Sequence, residues 1–190
     1  MIIYKKEQLE KSNKSIYFQI VNGSIFVYPT DTIYGIGCNA TNKDAVYRLK
    51  ELKQKSKESP LSIIAPSLDW IYKNCIVTKE SEEWIKKLPG PYTFILPIKN
   101  KDCVVDEVTP HKKTIGIRIP NHWISNFVKK LGFPIVTTSV NIHGNGAMTR
   151  LEQMDLEIKD NIDFVIYEGP KNGKPSQIID LAKEVPIILR

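Results

Sequence analysis

Ser24-Ile-Phe-Val-Tyr28, closed by Pro29, is a β-rich run with a helical segment on either side. Upstream, Lys6 to Asn22 ends at Gly23, which stops a helix because it accepts a left-handed backbone. Downstream, Asn42 supplies an N-cap, and Ala45, Val46, Leu49 and Leu52 recur at the spacing that gathers them on one helical face. A strand set between helices is the unit of a sheet interleaved with helices, and it recurs to the end of the chain. The expected fold class is α/β.

Further strands are expected over Leu61 to Ala65, Tyr92 to Ile98, Thr114 to Ile119 (stopped by Pro120) and Ile135 to Val140. Helical stretches surround Trp70 and Trp84. Asn121 is a candidate cap for a helix carrying Trp123, Ile124, Phe127, Val128 and Leu131 before Gly132 ends it. After a loop from Asn141 to Met148, Thr149-Arg-Leu-Glu152 reads as a capping box for a helix to Ile158. Three short β-like runs close the chain: Phe164 to Tyr167, Gln177 to Leu181 and Val185 to Leu189. Only Glu168 to Pro175 has linker composition, and it is too short to separate domains. One domain over 1–190 is the expectation.

With 190 residues, 42% hydrophobic, the chain can bury a core without disulfide or metal. Its longest apolar runs, such as Ile16 to Val21, fall far short of the ~20 residues that span a bilayer, which argues against a membrane protein. Charges at Lys5, Lys6 and Glu7 interrupt the apolar stretch a secretory signal would need, so a cytoplasmic location is expected. Cys38, Cys75 and Cys103 lack metal or redox spacing and read as packing residues. The net charge of +6 suits anionic partners or solubility alone.

Some motifs mislead. Gly35-Ile-Gly37-Cys-Asn-Ala40 matches a dinucleotide fingerprint, but Pro29-Thr-Asp-Thr-Ile-Tyr separates it from the strand. Gly169-Pro-Lys-Asn-Gly173-Lys174-Pro175 resembles a phosphate loop, yet puts Pro where the magnesium-binding hydroxyl belongs, and reads as a turn. His111, His122 and His143 have no metal spacing.

Hydroxyl residues and cations gather instead at strand ends, where open α/β sheets bind ligands. In Tyr28-Pro-Thr-Asp-Thr-Ile-Tyr-Gly-Ile-Gly37, Pro29 and the glycines fix turns while Thr30, Asp31 and Thr32 offer donors and acceptors, for a ligand or for the turn itself. Arg48, Lys50, Lys53, Lys55 and Lys57 make the next helix end positive, either as a solvated face or as a ligand site. Arg118 interrupts an apolar strand and, once buried, needs an anion from the chain or from a ligand. Gly90-Pro-Tyr-Thr93, Thr137-Thr-Ser139-Val-Asn141 and Pro175-Ser176 add polar groups in the same style. Converging, these would form a concavity without a strong nucleophile, suited to positioning phosphates.

Tyr28-Pro-Thr-Asp-Thr-Ile-Tyr-Gly, Lys53-x-Lys55-x4-Pro60-Leu61, Pro89-Gly-Pro-x-Thr93, Gly116-Ile-Arg-Ile-Pro120, Thr138-Ser-x-Asn141 and Pro175-Ser-x-Ile-Ile-Asp180 occur in this order. Together they resemble the YrdC/TsaC family of threonylcarbamoyl-AMP synthases, in its short, single-domain form. The resemblance implies a twisted mixed sheet flanked by helices, with a concave cation-lined cavity. It also implies a reaction in which L-threonine and bicarbonate form a carbamate that attacks the α-phosphate of ATP, giving threonylcarbamoyl-AMP and pyrophosphate. A downstream complex would transfer the group to tRNA beside the anticodon. By the same resemblance Thr32, Arg118 and Ser176 would hold threonine, and Lys53, Lys55, Ser59, Thr114, Ser139, Asn141 and Arg190 would hold ATP. Lys53, Lys55 and Arg118 would be the catalytic cations, with magnesium neutralising the leaving pyrophosphate.

The chain departs from the family pattern at Lys55, where arginine is usual, and at Val140, His143 and Gln177. Lys55 keeps the charge but loses the bidentate fork. Two other readings stand beside this one. A basic concave face could hold tRNA or duplex RNA by its phosphates, and the chain could be a carbamoyl-adenylate module of a hydrogenase-maturation carbamoyltransferase.

Overall fold

The computed structural model describes residues 1–11, 13–142 and 146–190. Its strands are β1 (Ile2–Tyr4), β2 (Phe26–Pro29), β3 (Tyr34–Gly37), β4 (Ser62–Ile64), β5 (Tyr92–Pro97), β6 (Thr114–Arg118), β7 (Ile135–Ser139), β8 (Phe164–Ile166), β9 (Gln177–Asp180) and β10 (Ile187–Ile188). They form one sheet in the order β1-β8-β2-β3-β7-β4-β6-β5-β9-β10. The sheet is mixed. β4 with β6 and β5 with β9 run parallel, whereas β2–β3, β3–β7, β4–β7 and β5–β6 are antiparallel.

Helices α1 (Lys6–Lys11), α2 (Asn13–Val21), α3 (Lys43–Leu52), α4 (Leu68–Asn74), α5 (Lys79–Ile85), α6 (Trp123–Leu131) and α7 (Leu156–Asp160) cover both faces. Successive strand side chains point to opposite faces, so each central strand serves two cores. Val27, Ile36, Ile63, Ile117 and Val136 face Ala45, Val46 and Leu49 of α3. Phe26, Ile64, Ile135 and Phe164 face Ile16 and Ile20 of α2 and Ile124, Phe127 and Val128 of α6. This double burial explains why the strands read as nearly continuous apolar runs. Each fully buried large side chain, such as Phe26 stacked on Phe164 at 5.0 Å, contributes ~1.5–3 kcal/mol.

Gly23 at φ +95 and Gly132 at φ +80 stop α2 and α6 as the sequence predicts, and Asn42 Oδ1 caps α3 through Ala45 N–H. All three cysteines are buried and free. No helix among the described residues is long and apolar enough to cross a membrane.

Four expectations are corrected. The segment Lys6 to Asn22 forms two helices, α1 and α2. Tyr34–Gly37 is a strand, not a loop, because it pairs along its whole length with β2, so Gly35 and Gly37 line a ladder and cannot wrap a dinucleotide phosphate. The α6 cap is His122, whose Nδ1 accepts from Ile124 N–H; Asn121 instead gives its backbone N–H to Asp31. The box expected at Thr149 closes through Gln153, whose Oε1 accepts from Thr149 and Arg150, so Glu152 has no part in it. A 3-10 turn, Leu151–Gln153, precedes α7 there.

Candidate functional site

A cavity of about 500 Å³ opens on the central strands. It receives Thr30 after β2, Gly35 of β3, Ser62 at the start of β4, Thr93 of β5, Arg118 at the end of β6, Thr137 to Ser139 of β7, and Ser176 before β9. Both starts and ends of strands contribute because neighbouring strands run in opposite senses. That corrects the simpler rule of C-terminal ends, which belongs to wholly parallel sheets. Gly116 makes room for one wall residue: a Cβ there would lie 2.4 Å from Ser62 Oγ, so glycine leaves Ser62 its place.

Of the residues singled out from sequence, Lys55, Arg118, Ser139, Asn141, Ser176 and Arg190 line this cavity. Arg118 is 6% exposed. Its Nη2 donates to Asp31 Oδ1 at 2.7 Å and, more weakly, to Thr32 Oγ1 at 3.4 Å, while its Nε has no hydrogen-bond partner among the described residues. Burial pushes the guanidinium below its ordinary value, and Asp31 opposes that shift. A buried N–H without a partner is costly, and the guanidinium that carries it stands in the cavity wall, where an incoming acceptor can meet its other donors.

Counting protons fixes the polarity of the hydroxyls. Thr30 Oγ1 donates to Ile33 O at 2.7 Å, so its 3.0 Å contact with Thr32 Oγ1 must use the proton of Thr32. Thr32, 5% exposed beside Arg118, therefore presents lone pairs. Thr93 Oγ1 and Ser176 Oγ, 2.8 Å apart, share one proton, which leaves the other hydroxyl proton for a further acceptor.

Lys53 sits beneath the cavity instead of in its wall. Its Nζ donates to Ser139 O at 2.6 Å, to Asn141 Oδ1 at 3.0 Å and to Asn141 O. Ser139 Oγ donates to the same Asn141 Oδ1 at 2.6 Å. Lys53 thus ties the end of β7 to α3. Burial first, then the neighbouring Lys55 charge, pushes its ammonium down to about 8. Lys50 is equally internal, giving its Nζ to Lys57 O at 2.7 Å, so the solvated-face reading fails for both lysines. Lys55 is half-buried at the cavity, and burial lowers its pKa too.

Arg190 is held by donation from Nε and Nη2 to Ser176 O, at 3.3 and 3.1 Å, and its own carbonyl accepts from Ile178. Thr32, Lys53, Ser59 and Thr114 do not line the cavity. Thr114 opens β6, four residues or about 13 Å before Arg118, and Ser59 precedes the lining residue Pro60. His143 and Gly144 lie outside the described residues.

The stretch of linker composition runs as a strap to the site's rim, where Pro175 joins the cavity wall. Tyr34 Oη donates to Gly169 O at 2.6 Å and accepts from Glu168 N–H at 3.2 Å. Gly173 lies so close to Thr32 that a Cβ would stand 2.1 Å from Thr32 O. Glu168 anchors the strap to α6, accepting from Trp123 Nε1 at 2.6 Å and pairing with His122 Nε2 at 2.8 Å and with Lys171 Nζ. Sequence reasoning missed Ser62, and left Asp31 without a role; its one signal was a carboxylate inside a hydroxyl-rich turn.

A ten-strand mixed α/β sheet with a polar, arginine-bearing hollow at its centre defines a ligand-binding class of protein, with positioning groups and no Ser–His–Asp arrangement among the described lining residues. The chain belongs to the Sua5/YciO/YrdC family, whose model, described as "Telomere recombination", matches residues 19–190. A Methanocaldococcus jannaschii protein is 37% identical over 188 residues, covering 97% of this chain and 87% of its own. The threonylcarbamoyl-AMP synthase of Bacillus subtilis is 29% identical over 170 residues, covering 87% of this chain and 49% of its own. The structure of P. abyssi Sua5 complexed with L-threonine superposes with a TM-score of 0.85 at 28% identity, covering 100% of this chain and 56% of that one. The chain thus spans about half the length of the Bacillus and P. abyssi proteins.

Proposed function

We propose that this chain is an L-threonylcarbamoyladenylate synthase, its residues 1–190 forming one YrdC-like domain that acts in the cytoplasm. The observation that carries the reading is Arg118: a buried guanidinium, hydrogen-bonded among the described residues through Nη2 alone, at the wall of a cavity rich in hydroxyls. Such a group fits the carboxylate of an amino acid. Thr32 Oγ1, behind the wall, accepts from Arg118 Nη2 and supports it, while Ser176 with Thr93 is placed to donate. Ser139 and Asn141 face the nucleotide, with Lys55 and Arg190 toward the phosphates.

In this reading threonine and bicarbonate lose water to give the carbamate, and a carbamate oxygen attacks the α-phosphorus. The bond from that phosphorus to the bridging oxygen breaks, and pyrophosphate leaves. In-line displacement needs aligned reactants and cations more than a protein nucleophile, which is what the cavity offers. No carboxylate is among the described lining residues, so magnesium fits as a partner of the ATP phosphates, neutralising the leaving group. Threonylcarbamoyl-AMP is a mixed anhydride, so a downstream transferase complex acting on tRNA is its consumer. The RNA-binding alternative is weakened by Lys50 and Lys53, whose charges are spent inside the protein.

The experiment is mass spectrometry of the product formed from ATP, magnesium, L-threonine and isotopically labelled bicarbonate. Label in a threonylcarbamoyl-adenylate supports the proposal; folded protein that gives no labelled nucleotide refutes it.

A further inference from the structure

We infer that Asp31 is the positioning residue for amino-acid binding: it aims Arg118 without touching the ligand. The inference rests on the proposed reading of the cavity as a threonine site. Asp31 is absent from the cavity wall and Arg118 is present in it, while both side chains are nearly buried, at 11% and 8% exposure. The carboxylate uses both oxygens. Oδ1 accepts from Arg118 Nη2 at 2.7 Å, and Oδ2 accepts from the backbone N–H of Asn121 at 2.9 Å. It therefore ties the turn between β2 and β3 to the turn that follows β6, and Arg118 is held between them. The neighbouring hydroxyls make the seat rigid, since Thr30 Oγ1 accepts from Thr32 N–H and donates to Ile33 O within the same turn. Nη2 is thus committed to the turn, and the rest of the guanidinium, in the cavity wall, is what remains for a ligand carboxylate.

Two roles for Asp31 predict opposite signs, which makes the inference testable. If Asp31 only neutralised charge, removing it would leave Arg118 more positive and would tighten threonine binding. If it aims the fork, loss of the carboxylate would weaken binding even though the local charge rises.

The experiment compares wild type with Asp31→Asn and Asp31→Glu by threonine titration calorimetry and by KM and kcat for threonine-dependent pyrophosphate release. Asp31→Glu keeps the charge and moves the oxygens by one methylene. The expected result is about a tenfold rise in threonine Kd and KM in both variants, with KM for ATP and kcat changed less than about threefold. Tighter threonine binding in Asp31→Asn, or wild-type binding in Asp31→Glu, overturns it. If Asp31→Asn fails to fold, Asp31→Glu decides alone. A wild type that neither binds threonine nor releases pyrophosphate refutes the synthase reading itself. The aiming of Arg118 is then read from its Nε–H resonance, which must shift in Asp31→Glu if the carboxylate sets the fork and overturns the inference if it does not move.

Discussion

At Arg118 stability and the proposed binding role fall on one residue. Its strand is apolar, its burial is nearly complete, and the Asp31 carboxylate offsets only part of the desolvation. Arg118→Ala leaves Asp31 buried and unpaired, so it is expected to cost ~3–5 kcal/mol of stability, and threonine saturation should be lost in whatever protein remains folded. Urea denaturation and threonine titration check the two halves separately. Lys53 makes a different prediction. Its ammonium pKa is depressed from the ordinary 10.5 to about 8 because it is buried beside Lys55. Between those values the unfolded chain holds more protons at this site than the folded one, so stability rises with pH through that window, and below about 8 the charged, buried amine carries its full cost. Lys53→Met should flatten this slope from pH 8 to 10.5, measured as the difference in Tm between wild type and variant; an unchanged difference contradicts it. Lys55→Ala, whose charge reaches the cavity, should raise KM for ATP about tenfold while threonine Kd holds.

Among the elements, the strap from Glu168 to Pro175 ties the cavity's rim to α6 and to the start of β3. Gly173→Ala would push a methyl against Thr32 O, and something must move. The expected outcome is a fall of at least about tenfold in kcat/KM for threonine with little loss of Tm, since the strap is not core; unchanged kinetics would show that the strap yields without disturbing Thr32. Sequence legibility divides along the same line. α3, β2 and α6 could be read because Ala45, Val46 and Leu49, or Ile124, Phe127 and Val128, repeat at helical spacing and Phe26-Val-Tyr28 does not. β3 could not, because Gly35 and Gly37 dilute the strand propensity of Tyr34 and Ile36 and read as turn residues until pairing with β2 and β7 extends them. Six of the residues named from motifs line the cavity, yet the division between Lys55 in the wall and Lys53 beneath it depends on how α3 meets the end of β7. Asp31 remained ambiguous for the same reason: its partner lies 87 residues away.

Across the whole molecule, the cavity sits where the sheet passes between two cores, and at least six strands or their flanking turns feed it. That placement separates stability from binding. Phe164 is fully buried in the core beneath α2 and α6, stacked on Phe26, and does not line the cavity. Phe164→Ala should therefore cost ~3–5 kcal/mol of unfolding free energy while the remaining folded protein binds threonine with wild-type affinity, as calorimetry below its Tm would show. The family membership and the geometry meet in one claim, that these strand ends hold threonine and ATP together for a displacement at the α-phosphorus. Its most direct test is pyrophosphate release from magnesium-ATP in bicarbonate buffer, with L-threonine, L-serine or no amino acid added. Release that requires L-threonine, and that Arg118→Ala abolishes, is the predicted result; release indifferent to the amino acid, or none from folded protein, would contradict it.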